Sequence, residues 1–175
     1  SVVSWGDAAK GGLIPTGATA TALNGSTDVV SIRSSNAAFA ALRADGTVIT
    51  WGDAAYGGNS SGVDFNGASN TLTVTSLQAS QRAFAAVLSD GSVVTWGAAE
   101  FGGDSSGVAA QLNGSTDVVS ISTTGSAFAA LRADGSVVAW GHAERGGLLS
   151  AAASASLGAT GAPAVTKIVA SGSAF

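Results

Sequence analysis

The string Ala-Phe-Ala-Ala-Leu-Arg-Ala-Asp-Gly-Thr-Val-Ile-Thr-Trp-Gly, from Ala38 to Gly52, is nearly copied from Ala83 to Gly97 and again from Ala127 to Gly141. Shorter pieces of it stand at either end, Ser-Val-Val-Ser-Trp-Gly from Ser1 to Gly6 and Ser-Ala-Phe from Ser173 to Phe175. A chain made of near copies folds as similar units, each of which buries its apolar surface against the next.

Each full copy holds two short runs rich in Val, Ile, Thr, Phe and Trp, separated by Asp45-Gly46, Asp90-Gly91 or Asp134-Gly135. That pattern predicts a β-hairpin whose turn pairs a residue tolerant of positive φ with one that has no Cβ to clash there. Side chains alternate between the faces of a strand. Ile49 and Trp51 therefore point one way and Val48 and Thr50 the other, while Phe39 and Ala41 oppose Ala40 and Leu42. Both faces are largely apolar, so neighbouring copies must cover each hairpin on both sides. The expected repeat core is Trp5, Trp51, Trp96 and Trp140 with Phe39, Phe84 and Phe128.

A third β-type run precedes each hairpin in fixed register. Ile32, Leu77, Ile121 and Ile168 each lie seven residues before Phe39, Phe84, Phe128 and Phe175. Each period is thus a strand, a short polar connection, the hairpin, and a long loop that opens on Trp-Gly and soon reaches Gly-Gly. The tryptophans are 46, 45 and 44 residues apart. We expect an all-β chain of tandem repeats of about 45 residues with three short strands each. They divide as a partial repeat 1–28, repeats 29–73, 74–117 and 118–164, and a partial repeat 165–175. The end pieces do not add up to a whole unit, and the expectation is a fragment of a longer array.

The apolar strand, Asp-Gly, Ser/Thr-Val-x-x-Trp-Gly and Gly-rich loop together resemble the repeat of the regulator of chromosome condensation / β-lactamase inhibitory protein II superfamily, and its three-stranded branch most closely. The resemblance runs the length of the chain and implies β-propeller blades. The Gly-Gln-Leu-Gly usual after the tryptophan loop is here only Gly-Gly, at Gly11-Gly12, Gly57-Gly58, Gly102-Gly103 and Gly146-Gly147. Ala- and Ser-rich versions of the unit are also similar to repeat tracts of very large cell-surface proteins of marine bacteria, cyanobacteria among them. The same units could alternatively stack in a line as a β-solenoid or filament, since both arrangements use the same faces.

Composition narrows the function. Charged residues make up 10% of the chain and mean hydropathy is +0.37, against about a quarter charged in an ordinary soluble domain. Such a chain packs rather than staying disordered. Gly in every window and few strong helix formers besides Ala predict little helix. A net charge of -4 with seven scattered basic residues lacks the stripe a nucleic-acid partner needs. The uncharged run from Gly146 to Lys167 contains Gly, Ser, Thr and Pro163. It reads as a surface loop and not a membrane span. The absence of Cys excludes thiol chemistry, and the small number of oxidisable or trypsin-sensitive residues suits an extracellular or cell-surface location.

Little here resembles chemistry. His142, the single histidine, takes the place of Asp7, Asp53 and Ala98 in the other copies. No Ser/His/acid set recurs, zinc ligands are absent, and no cofactor is expected. The loops at Asp104 and Asn59 have the Gly- and Asp-rich look of calcium loops but offer too few carboxylates for a hard cation. Asn24, Asn59 and Asn113 fit the glycan acceptor pattern yet read first as turn formers, and Asp28 and Asp117 are placed to cap a turn.

What varies is the residue just before Gly-Gly: Lys10, Tyr56, Phe101 and Arg145. Gathered on one rim with the neighbouring His142, these side chains could meet a protein or a surface glycan. Two function classes follow. One is a non-enzymatic structural or adhesive segment of a large bacterial surface protein, filament-forming or motility-associated, whose partners are adjacent repeats or further copies. The other is a propeller-type module that grips a protein with the variable loops. The near identity of the copies, with Leu-Asn-Gly-Ser-Thr-Asp-Val-Val-Ser-Ile at both Leu23 and Leu112, favours the first.

Overall fold

The computed structural model describes residues 1–157 and 164–175. Three three-stranded antiparallel sheets follow one another along the chain. They are β1 (Val29–Ser34), β2 (Ala38–Arg43) and β3 (Val48–Gly52); β4 (Val74–Ala79), β5 (Ala83–Leu88) and β6 (Val93–Gly97); and β7 (Val118–Thr123), β8 (Ala127–Arg132) and β9 (Val137–Gly141). The middle strand of each sheet pairs with both others, and the register is the same in all three: Phe39 lies opposite Trp51, Phe84 opposite Trp96 and Phe128 opposite Trp140. The fold is all-β, built of repeated blade-like units.

The hairpins form as expected, but by a different turn. Arg43 and Thr47 close a three-residue loop in which only Gly46 has positive φ, at 80°. Asp45 keeps ordinary backbone angles and works through its carboxylate, which accepts from the Thr47 N–H at 3.0 Å and from its hydroxyl at 2.6 Å. Asp90 and Asp134 do the same with Ser92 and Ser136. A short acceptor bonding two residues ahead thus sets the bend, and glycine supplies the left-handed step that follows.

The units are packed face to face. Ala38, Ala40 and Leu42 of β2 lie against Leu77, Phe84, Ala86 and Trp96 of the next unit; Ala83, Ala85 and Val87 of β5 lie in turn against Ile121, Phe128, Ala130 and Trp140. The face turned forward carries small side chains and the face turned back carries large ones, so the two interlock at close spacing. Each indole is stacked on the phenylalanine of its own hairpin, with centroids 5.2, 5.3 and 5.4 Å apart in the three units.

Each indole also reaches into the preceding unit. Trp51, Trp96 and Trp140 donate their Nε1–H to the carbonyl oxygens of Gly11, Gly57 and Gly102 at 3.1, 3.0 and 3.1 Å. These glycines have positive φ, and a Cβ on Gly57 would lie 2.6 Å from Cδ2 of Phe84. The backbone ties the units together at both rims. At one, Asn36 N–H bonds Gln81 C=O, Gln81 N–H bonds Gly125 C=O, and Gly125 N–H bonds Gly172 C=O, at 2.9 to 3.0 Å. At the other, Val74, Val118 and Val165 donate to the hairpin-tip carbonyls of Gly46, Gly91 and Gly135.

Three expectations need correction. Trp5 is 85% exposed while the other three tryptophans are buried; Phe39, Phe84 and Phe128 stack on Trp51, Trp96 and Trp140, and among the described residues no phenylalanine stacks on Trp5. The run after Gly146 is not all loop, since α2 (Ala151–Leu157) forms within it, as α1 (Ala18–Ala22) forms in the first long loop; residues 158–163 lie outside the described part. Asp28 and Asp117 serve through their backbone carbonyls, which accept from Ala44 and Ala133 at 2.8 and 2.9 Å. Among the described residues, no helix is long and apolar enough to cross a membrane.

Candidate partner-binding rim

Each Trp-Gly runs into one turn of 3₁₀ helix, at Ala8–Lys10, Ala54–Tyr56, Ala99–Phe101 and Ala143–Arg145, ended by a glycine of positive φ. The residue before each turn is its N-cap. Asp7 and Asp53 fill that role with a carboxylate that accepts from Ala9 and Ala55 N–H at 3.0 and 2.8 Å, whereas Ala98 and His142 make no such bond. His142 therefore occupies a capping position without capping, and its Nδ1 is buried with no hydrogen-bond partner among the described residues.

The variable residue closes each turn, and its backbone is pinned from below. Ser35, Ser80 and Thr124, in the connections between first and second strands, donate their hydroxyls to the carbonyls of Tyr56, Phe101 and Arg145 at 2.9, 2.8 and 3.0 Å. A rigid backbone thus presents a side chain that is free to differ between copies. Lys10, Tyr56, Phe101 and Arg145 stand at equivalent places on one rim, yet they do not form an even row.

Tyr56 and Phe101 are brought together by a residue the sequence reading passed over. Arg82 lies between them, its guanidinium carbon 4.4 Å from the Tyr56 ring centroid and 5.3 Å from that of Phe101, and it donates to the Tyr56 hydroxyl. A guanidinium flanked by two rings is held by cation–π attraction as well as by contact. The signal was present: the residue before Ala-Phe is Ala37, Arg82, Ser126 and Ser173 in successive copies, so one position breaks from small to large and charged. Lys10, at the edge of the rim, is exposed and paired with Asp7 at 3.7 Å. Arg145 is exposed beside a shallow depression lined by Glu100, His142 and Glu144.

Among the described residues, no group of three or more His, Cys, Asp or Glu side chains is placed to hold a metal ion. Asp104 and Asn59 turn a side-chain oxygen onto their own loops, accepting from the Ser106 and Ser61 N–H at 2.8 and 2.9 Å. The Ser106 N–H and then its hydroxyl hold the Asp104 carboxyl below the usual carboxylate range. Asn24 and Asn113 make the same turn with Ser26 and Ser115. The opposite rim carries the hairpin tips, where Arg43 and Arg132 pair with Asp45 and Asp134 at 3.2 and 3.9 Å.

No protein-family model matches the chain, and no curated protein matches it. Among solved structures, human WBSCR16 is similar with a TM-score of 0.45 and 19% identity, over 66% of this chain and 34% of that one. The entire ectodomain of the receptor kinase CR4 of Physcomitrella patens is similar with a TM-score of 0.44 and 22% identity, over 66% of this chain and 30% of that one. The chain spans about a third of the length of either protein.

Proposed function

We propose that the chain is a non-enzymatic structural or adhesive repeat segment of a large extracellular, cell-surface bacterial protein of a filament-forming or motility-associated kind, its unit belonging with the regulator of chromosome condensation / β-lactamase inhibitory protein II repeats. The observation that carries this reading is the junction between units. Indole, phenylalanine ring and glycine carbonyl meet in the same way at three successive boundaries. The residues that recur in the sequence are those that join one unit to the next. Repetition of one strong junction is what a load-bearing or space-filling array needs, and it leaves no single residue as a site.

A second reading is favoured by the Tyr56–Arg82–Phe101 cluster: a protein-binding module that uses the variable rim, with Lys10, Arg145 and His142 beside it. Aromatic and arginine side chains on a rigid backbone are the usual anchors of a protein interface. Electron microscopy of the native material, with the mass of the intact chain, separates the two. Filaments or a very large chain support the structural segment; compact monomeric rings sink it and turn attention to the rim.

A further inference from the structure

The middle unit, β4 to β6, carries charges that the chain does not balance. Arg43 and Arg132, the last residues of β2 and β8, pair with Asp45 and Asp134 of their own hairpin tips. The corresponding residue of β5 is Leu88, which is buried, and among the described residues no cation pairs with Asp90. A second carboxylate joins Asp90 at this tip. Asp117 lies against Gly91, where a Cβ would be 2.7 Å from its Oδ1, while Thr73 and Ala164 take that place beside Gly46 and Gly135. Both Asp90 and Asp117 are exposed.

The same unit holds the opposite charge at the opposite rim. Arg82 immediately precedes β5, and Asp90 lies just beyond its end. Among the described residues no carboxylate pairs with Arg82. Its guanidinium spends one N–H on the Tyr56 hydroxyl and is flanked by the Tyr56 and Phe101 rings. The remaining N–H groups make no hydrogen bond among the described residues and are open to solvent, whereas the Nε of Arg43 and of Arg132 is buried. Rings flanking a guanidinium leave N–H groups in its plane for the two oxygens of a carboxylate. Because the rings already order the side chain, less freedom is lost on pairing than at an ordinary exposed ion pair.

We propose that the Arg82 rim is a carboxylate receptor for the hairpin-tip rim of a second copy of the chain, with Arg82 of one copy meeting Asp90 and Asp117 of the other. The argument for a second copy as occupant is charge complementarity: the one unit that leaves its tip carboxylates without a cation also presents a cation without a carboxylate. The two stand at opposite ends of one strand. Copies stacked in the same orientation along the strand direction therefore bring each unpaired guanidinium onto an unpaired acidic tip. The joined patches differ, so the contact does not close on itself in a pair and extends as copies are added. This inference rests on the structural-array reading and adds a second direction to it: units join through their faces within a chain, and chains join through their rims.

Sedimentation equilibrium over a concentration series of the 175-residue chain tests it, at an ionic strength of about 0.01 M, where charges act over about 30 Å. The variants are Arg82→Gln, the pair Asp90→Asn with Asp117→Asn, and an equimolar mixture of the two proteins. The expected result is concentration-dependent oligomers of the parent chain that dissociate as salt approaches about 1 M, where the range falls to about 3 Å. Each variant alone should lose association, and the mixture should give dimers but nothing larger, because each protein supplies the rim the other lacks. Asn at position 90 keeps an acceptor for Ser92, and the Asn pair leaves the Tyr56–Arg82–Phe101 cluster intact, so its loss of association reports the tip charge alone. Unchanged circular dichroism shows that both variants fold. A parent chain that stays monomeric overturns the proposal, as does association that neither variant weakens. If the monomeric parent instead shifts its Arg82 Nε–H resonance on addition of polyglutamate, the receptor takes a foreign acidic chain and the second copy is again refuted. Those outcomes leave the structural-array reading standing, because that reading is tested by the mass and shape of the native material.

Discussion

Trp96 donates its indole N–H to the Gly57 carbonyl at 3.0 Å, from one repeat into the one before it. The same ring stacks on Phe84 and meets Phe65 edge-on at 5.3 Å. A single side chain therefore joins the hairpin, the preceding loop and the preceding sheet. Emptying that position by Trp96→Ala should cost about 3 to 5 kcal/mol in chemical denaturation. Trp96→Phe should lose less, on the order of 1 to 2 kcal/mol, by removing the hydrogen bond and part of the packing. Trp5→Ala should leave the stability of a monomeric sample unchanged, and an equal loss at Trp5 and Trp96 would refute the assignment of the junction.

Gly57 has φ of 89° and no room for a side chain, because a Cβ would meet the Phe84 ring. Gly57→Ala should therefore cost roughly 1 to 3 kcal/mol through backbone strain, with the displaced ring adding to it. Gly62 offers the control, since nothing lies within 4 Å of a Cβ there. Gly62→Ala should be neutral, or slightly stabilising through the unfolded chain. Comparable losses at both positions, read from urea midpoints, would contradict the close approach.

The hairpin carboxylates give the fold an acid limit. The Thr47, Ser92 and Ser136 hydroxyls hold Asp45, Asp90 and Asp134 below the ordinary carboxylate range, with backbone N–H bonds adding to the effect. A group whose pKa is lowered by folding stabilises the folded state above its unfolded value. That contribution disappears as pH falls through the folded value. Urea midpoints should therefore be level near neutrality and fall below about pH 4. The triple Asp→Asn variant at these positions should have a flatter acid limb, and an identical limb in both proteins would show that these turns do not set it.

Arg82 staples two units at the rim. Arg82→Ala should lower stability by about 0.5 to 2 kcal/mol, the range of a partly desolvated cation–π contact. Arg82→Lys should recover only part of that, because an ammonium lacks the plane that fits between two rings. His142→Ala should stay within about 0.5 kcal/mol of the parent. A loss at His142 larger than at Arg82 would reverse the ranking of the rim residues.

The repeat and its strands were legible because they depend on alternation and fixed spacing, whereas the pairing of Phe39 with Trp51 follows from the three-residue loop that closes the hairpin. The two-faced packing was legible for the same reason. Other features depend on neighbours in space. Leu23 and Leu112 look like parts of a polar turn motif, yet they are buried in the clusters around Trp51 and Trp140. Arg82 looks like one more surface charge until Tyr56 and Phe101 close on it. The Asp-Gly turn was read from backbone preference, while its stability comes from a side-chain acceptor. Trp5 shares its motif with three buried residues, yet it is exposed and no ring stacks on it among the described residues.

The most direct test of the stacked-unit account is hydrogen exchange of the four indole N–H groups, followed by NMR at a dilution where the chain is monomeric. The account predicts slow exchange at Trp51, Trp96 and Trp140, whose N–H groups are bonded to the preceding unit, and fast exchange at Trp5. Similar rates at all four, or a fast group among the three, would mean that the units are not joined through their tryptophans.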